Sequence, residues 1–163
     1  MSAAGRDVST DAECRRPAGS LAVAIVAALA GLAVSIYLTV EHYDHSTTLA
    51  CPESATINCA KVTTSRWSVI AGAPVALLGL VYFVVMTVLI AIPSRRRELR
   101  ALRVVGAAAG VAMVLYLVYV ELFRVDAICL WCTAVHVLTL VLFGAILWGS
   151  LNPGAARPGA RSG

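Results

Sequence analysis

Residues 127–151 read AICLWCTAVHVLTLVLFGAILWGSL, and this stretch decides the fold. It contains no Asp, Glu, Lys or Arg. A helix that crosses a bilayer needs roughly 20 apolar residues, within a range of about 17–25. Three other stretches share this character: Leu21–Val40, Val69–Ile92 and Val104–Val120. In lipid no water is present to satisfy an open backbone, so each stretch must be helical. The expected fold is an all-α membrane protein, a four-transmembrane-helix bundle with spans at about 21–42, 69–92, 104–121 and 128–150. An extracytoplasmic loop and half-helix cap separates the first two helices. In it, Thr63–Ile70 are expected to form an amphipathic cap at the interface, with Trp67 as its anchor.

The rest of the chain agrees. Of 163 residues, 60% are hydrophobic and only 13% charged, and the mean hydropathy is +0.83. Soluble domains run at about 45–50% apolar and about 25% charged, so an ordinary soluble domain is excluded. The net charge of +4 does not point to nucleic acid, because the basic residues flank the apolar runs. Residues 1–19 and 152–163 are polar or rich in Pro and Gly and are expected to be disordered cytoplasmic tails around a membrane domain at 20–151. The first run has features of a cleaved leader: Arg15 and Arg16 precede it, and Ala28-Leu29-Ala30 resembles a cleavage site. It continues past Ala30, beyond the usual apolar core of about 7–15 residues, and is read as a span.

Basic residues set the orientation. Arg6, Arg15 and Arg16, then Arg95, Arg96, Arg97, Arg100 and Arg103, then Arg157 and Arg161 lie on one side of the four spans. Only Lys61, Arg66 and Arg124 lie on the other. The positive-inside rule places both termini in the cytoplasm, and Glu41–Ala73 and Glu121–Ile128 outside. Cys51, Cys59, Cys129 and Cys132 then face an extracytoplasmic space, where disulfides persist. Cys14 stays on the reducing side as an ordinary thiol.

Cys129-Leu130-Trp131-Cys132 is a C-x-x-C that opens the fourth helix. Both the motif and a helix N-terminus favour the thiolate, the attacking species in disulfide exchange. At about 100° per residue, Cys129, Cys132 and His136 share one helix face. His136 is an intramembrane ionisable residue, so it stands as a candidate to bond or protonate an electron acceptor, against the plainer reading of a core histidine. Cys51 and Cys59 flank a polar, turn-prone segment, where a disulfide would be exposed and open to exchange. Alone they would read as a structural staple; beside a C-x-x-C they form a second redox pair. Zinc is disfavoured by the oxidising compartment, and no metal is expected. Trp131 and Trp148 bracket the fourth span as interface anchors. Gly106-x-x-x-Gly110 is expected to pack helices within the chain rather than between chains.

Together these residues resemble the vitamin K epoxide reductase family, in particular its bacterial members. The motifs are Cys51-x7-Cys59, Asn58-Cys59-Ala60-Lys61-Val62, Thr64-Ser65-Arg66-Trp67, Gly72-Ala73-Pro74-Val75-Ala76-Leu77-Leu78-Gly79 and the C-x-x-C, spread over nearly the whole chain. The resemblance implies a bundle around a quinone pocket bordered by His136, Ser65, Trp67, Val75 and Trp131, capped by the loop. It implies that Cys129 and Cys132 reduce the quinone, menaquinone or ubiquinone, with Cys132 nearest the ring. Cys51 and Cys59 would carry electrons from a separate extracytoplasmic thioredoxin-fold protein, and the chain would sit in a bacterial inner membrane. His136 stands where the animal enzymes have a quinone-contacting tyrosine, and Val75 where they have an asparagine. These departures favour quinone reduction over epoxide reduction. The rivals are epoxide reduction proper and a non-catalytic membrane protein with structural disulfides.

Overall fold

A helix in hydrocarbon must satisfy its side-chain hydroxyls as well as its amides. The apolar helices do so internally: Thr39, Thr87 and Thr139 each donate a hydroxyl to the carbonyl four residues earlier, at 2.7, 2.7 and 2.8 Å. The computed structural model describes residues 15–44, 50–52, 54, 56–92 and 97–151. The Cys14 tail, the C-terminal tail from residue 152, Arg95 and Arg96, and loop positions 45–49, 53 and 55 lie outside the described residues. The elements are α1 (Arg15–Tyr43), α2 (Cys59–Thr63), a 3₁₀ turn (Arg66–Ser68), β1 (Val69–Ile70), β2 (Ala73–Pro74), α3 (Val75–Ala91), α4 (Arg97–Val120), a π turn (Glu121–Val125) and α5 (Leu130–Leu151).

The four apolar helices form the expected bundle. α1 packs along α5 and α3, and α4 along α5 and, less extensively, α3. Ala24, Ala27, Ala28, Met86, Ile90, Ala107 and Leu142 close one half around Phe83. Large apolar side chains cover the outside, with Val26, Leu115, Phe123 and Leu151 at 66–70% exposure. Such a surface would be an aggregation hazard in water and is what a lipid-facing helix presents. α1, α4 with its π turn, and α5 are long enough to cross a membrane; α3 is shorter, 17 residues or about 26 Å.

The helix ends depart from the hydropathy reading. α1 starts at Arg15, so residues 15–19 belong to the helix rather than to a tail; Pro17 is tolerated because it falls in the first turn. α3 starts at Val75, not Val69. Val69 and Ile70 pair with Pro74 and Ala73 in a two-stranded hairpin. Its turn residues, Ala71 and Gly72, both have positive φ (52° and 84°), as a type I′ turn requires. Pro74 has no amide for a helix and biases Ala73 toward extended backbone. α4 extends to Arg97, seven residues before the apolar run begins. Arg103, inside this extension, donates from Nε to the Leu89 carbonyl (2.8 Å) and from its terminal nitrogen to that of Ile92 (2.6 Å). A cation thus closes the free carbonyls at the end of α3.

The cap expected over Thr63–Ile70 is irregular. Thr64, Ser65 and Ser68 donate their hydroxyls to the carbonyls of Ala60, Val62 and Ser65. Such local bonds compete with a continuous helix. The segment breaks into α2, the 3₁₀ turn and β1. α2 is N-capped by Asn58, whose Oδ1 accepts the Lys61 amide at 2.8 Å.

Gly106 and Gly110 face α3 within the chain. A Cβ on Gly110 would overlap the Tyr82 phenol, and one on Gly106 would lie 3.1 Å from Met86 Sδ. Helix propensity alone predicts that Gly110→Ala gains about 1 kcal/mol. Overpacking predicts a loss of about 1–3 kcal/mol. We expect the loss to win, seen as a lower denaturation midpoint in detergent. A gain would mean that Tyr82 does not occupy the Gly110 notch.

Candidate active site

Backbone pairing ties the polar loop to the start of α5. The Asn58 amide donates to the Ile128 carbonyl (3.1 Å), and the Ile128 amide donates to the Thr56 carbonyl (2.9 Å). The result is a one-residue parallel bridge between Ile57 and Ile128. Lys61 Nζ donates to the Asp126 carbonyl (3.4 Å), and Trp131 Nε1 donates to the Ala50 carbonyl (3.0 Å). The bridge joins the loop segment that leads into Cys59 to the segment that leads into Cys129.

Cys51 and Cys59 form a disulfide. It is less open than the sequence indicated, because Cys59 is 0% exposed and Cys51 half-buried. Val62 and Trp67 pack on Val120, Val125 and Ala127 and help to close this end of the bundle. Cys129 and Cys132 are free thiols. Cys129, also 0% exposed, immediately precedes α5, and its Sγ accepts the Cys132 amide at 3.2 Å. This amide is one of the helix-start donors that have no partner within the helix. Cys132 and His136, one turn apart, both line a cavity inside the bundle; Cys129 does not.

The cavity measures about 260 Å³, just below the usual range for ligand pockets of about 300–1,000 Å³. All four apolar helices and the cap contribute to its wall. Ser65, Trp67 and Val75 border it. Trp131 does not. Its ring packs on Tyr37 with centroids 4.9 Å apart, and its indole amide is used on Ala50. The tryptophan between the two cysteines therefore points to α1 and the loop, and its place in the pocket is corrected to a loop anchor.

Two lining residues were missed by sequence reasoning. Tyr82 has a buried hydroxyl with no hydrogen-bond partner among the described residues. Its signal was the spacing Val75, Leu78, Gly79, Tyr82, which puts it on the face of Val75. Glu121 was assigned to an exposed turn, yet it is 6% exposed and lines the cavity. The helix does not stop at the charge: it widens into a π turn, an irregularity often found at functional sites. Asp126 and Ala127 amides close that turn on the Glu121 carbonyl. Among the described residues no cluster of three or more His, Cys, Asp or Glu is placed to hold a metal.

Comparison with family models matches residues 22–147 to the Vitamin K epoxide reductase family. The chain belongs to this family. No curated protein matches it. The matched span includes all four cysteines just described. Members of the family are quinone-linked thiol oxidoreductases or epoxide reductases that generally work with thioredoxin-like partners, so the chain is a membrane oxidoreductase of that general class.

The two roles of Trp131 are separable. Trp131→Phe keeps a ring against Tyr37 and removes the bond to Ala50. We expect the Cys51–Cys59 disulfide to be reduced several-fold faster by dithiothreitol, followed by thiol labelling, while quinone KM stays unchanged. A change in KM with no change in reduction rate would restore Trp131 to the pocket.

Proposed function

We propose that this protein is a quinone-dependent thiol oxidoreductase that generates disulfides. Electrons pass from a reduced extracytoplasmic thioredoxin-fold protein to Cys51 and Cys59, then to Cys129 and Cys132, then to a membrane quinone. The observation that carries this reading is the Ile57–Ile128 bridge, which joins the backbone next to the loop disulfide to the backbone that leads into the C-x-x-C, whose second cysteine lines the cavity. The charge bias across the spans supports an inner-membrane orientation with both termini cytoplasmic and the cysteines outside.

Each protein step is a thiolate attack through a mixed disulfide. Cys51, the half-buried member, is the loop sulfur that an aqueous partner can attack. Cys59 is then released as the thiol that carries the electrons inward to Cys129. The cavity fits a quinone: its wall is largely apolar, the Tyr82 hydroxyl lacks a partner among the described residues, and Cys132 and His136 supply polar atoms. The quinone, when bound, accepts two electrons and two protons, and that chemistry is its own. The chain's part is to hold the ring away from water and keep Cys132 at the wall.

Purified protein in detergent, driven by dithiothreitol and followed by ultraviolet absorbance, should reduce quinone. Cys129→Ser and Cys132→Ser should each abolish turnover, and Cys132→Ser should leave the Cys51–Cys59 disulfide intact. Full activity in Cys132→Ser would sink the assignment. The order of the relay has its own test. With Cys51→Ser and Cys132→Ser combined, Cys59 and Cys129 should join in a disulfide that peptide mass spectrometry detects. Its absence under oxidising conditions would overturn the proposed hand-over.

A further inference from the structure

Glu121 is the one carboxyl that lines the cavity among the described residues. Burying a carboxyl is costly unless it is paired or hydrogen-bonded. Here no basic side chain is paired with it among the described residues; Lys61, Arg66 and Arg124, on the cap and the π turn, are exposed. The titratable groups facing the same cavity are Cys132 and His136 from α5, His42 from α1 and Tyr82 from α3. The side chain is carried by the π turn, held by two backbone bonds to the Glu121 carbonyl. Its position therefore does not depend on a bond from its own carboxyl. Ionisable groups kept inside membranes commonly mark proton paths.

We propose that Glu121 carries a proton between the Cys132 thiol and a quinone oxygen. This rests on the quinone-reducing reading above. When the dithiol is oxidised, Cys129 and Cys132 lose two protons and two electrons and an S–S bond forms. The quinone takes up both pairs and leaves as hydroquinone. Glu121 receives the Cys132 proton, passes it on and returns to its starting state, so no outside reductant or acid is consumed. General acid–base groups in such positions contribute typically about 10²–10⁴-fold to rate.

Glu121→Gln keeps the size and hydrogen bonding of the side chain and removes its ability to carry a proton. We expect single-turnover quinone reduction by pre-reduced Glu121→Gln protein to fall by about 100-fold or more, with quinone affinity unchanged and partial recovery in Glu121→Asp. A second readout needs no quinone and no variant activity. The infrared difference spectrum between disulfide and dithiol forms of the wild type should contain a carboxyl band that disappears in Glu121→Gln. A Glu121→Gln rate within about two-fold of wild type, or a wild-type difference spectrum without that band, would overturn the proposal. Failure of the wild type to reduce any quinone would instead remove the functional reading, and the infrared band would still report whether Glu121 responds to the cysteines.

Discussion

A peptide group in hydrocarbon can bond only to another group of the protein, and the arrangement of this chain follows from that constraint. The apolar runs close their own amides as helices, and their threonines bond back to carbonyls of the same helix. What remains irregular is pushed to one end of the bundle. Two such segments exist there among the described residues, the loop and cap before α3 and the turn before α5, far apart in sequence. Each carries amides and carbonyls that its own conformation leaves free. They satisfy one another through the Ile57–Ile128 bridge, the Lys61–Asp126 contact and the Trp131–Ala50 contact. The meeting of the two cysteine-bearing segments is thus a by-product of backbone satisfaction, and needs no special attraction between sulfurs.

The same bundle is dense in one half and open in the other. Ala24, Ala27, Ala28 and Ala107 let helices approach closely where Met86, Ile90 and Leu142 fill the space. Toward the cysteines, the wall is made by the second half of α1, the first half of α3, the second half of α4 and the first half of α5. The Gly110 notch accepts the Tyr82 ring at the edge of this space. Small residues occur at both ends, and the dense half is the one where Phe83, Met86, Ile90 and Leu142 fill the space between them. The cavity lies between that dense core and the cap, where Cys132 is found.

The bundle was legible because a run without charge over the length of a bilayer has few other readings. The pairing of Cys51 with Cys59 was legible in their spacing around a short polar loop. Helix ends were less so. Hydropathy treats Val69–Pro74 as membrane, but the Gly72-Ala73-Pro74 turn chemistry stops the helix at Val75. Conversely, charge ends the apolar count at Val104, while Arg97–Arg103 continue the helix and one of them caps its neighbour. The pocket was half legible. Cys132, His136, Ser65, Trp67 and Val75 all border it, but Trp131 was misplaced because a tryptophan between two redox cysteines invites a ligand role, whereas its ring packs on Tyr37 and its indole N–H bonds to the Ala50 carbonyl. Glu121 was lost because a charge after an apolar run reads as the first loop residue. Only the π turn reveals that the backbone carries it back inside.

Burial also gives the proposed relay a direction. Of the four sulfurs, Cys59 and Cys129 are 0% exposed, Cys51 is half-buried, and Cys132 faces the cavity. A thiol–disulfide chain open at every sulfur would be short-circuited by any small thiol, since exchange depends on access as well as on thiolate fraction. Here Cys59 and Cys129 are closed to solvent, and the segments that carry them are joined by backbone pairing. In the proposed relay a donor in water begins at Cys51, and an acceptor in the cavity finishes at Cys132. The buried pair links those two ends in that relay, and the bridge between their segments is made of residues that carry no redox chemistry of their own.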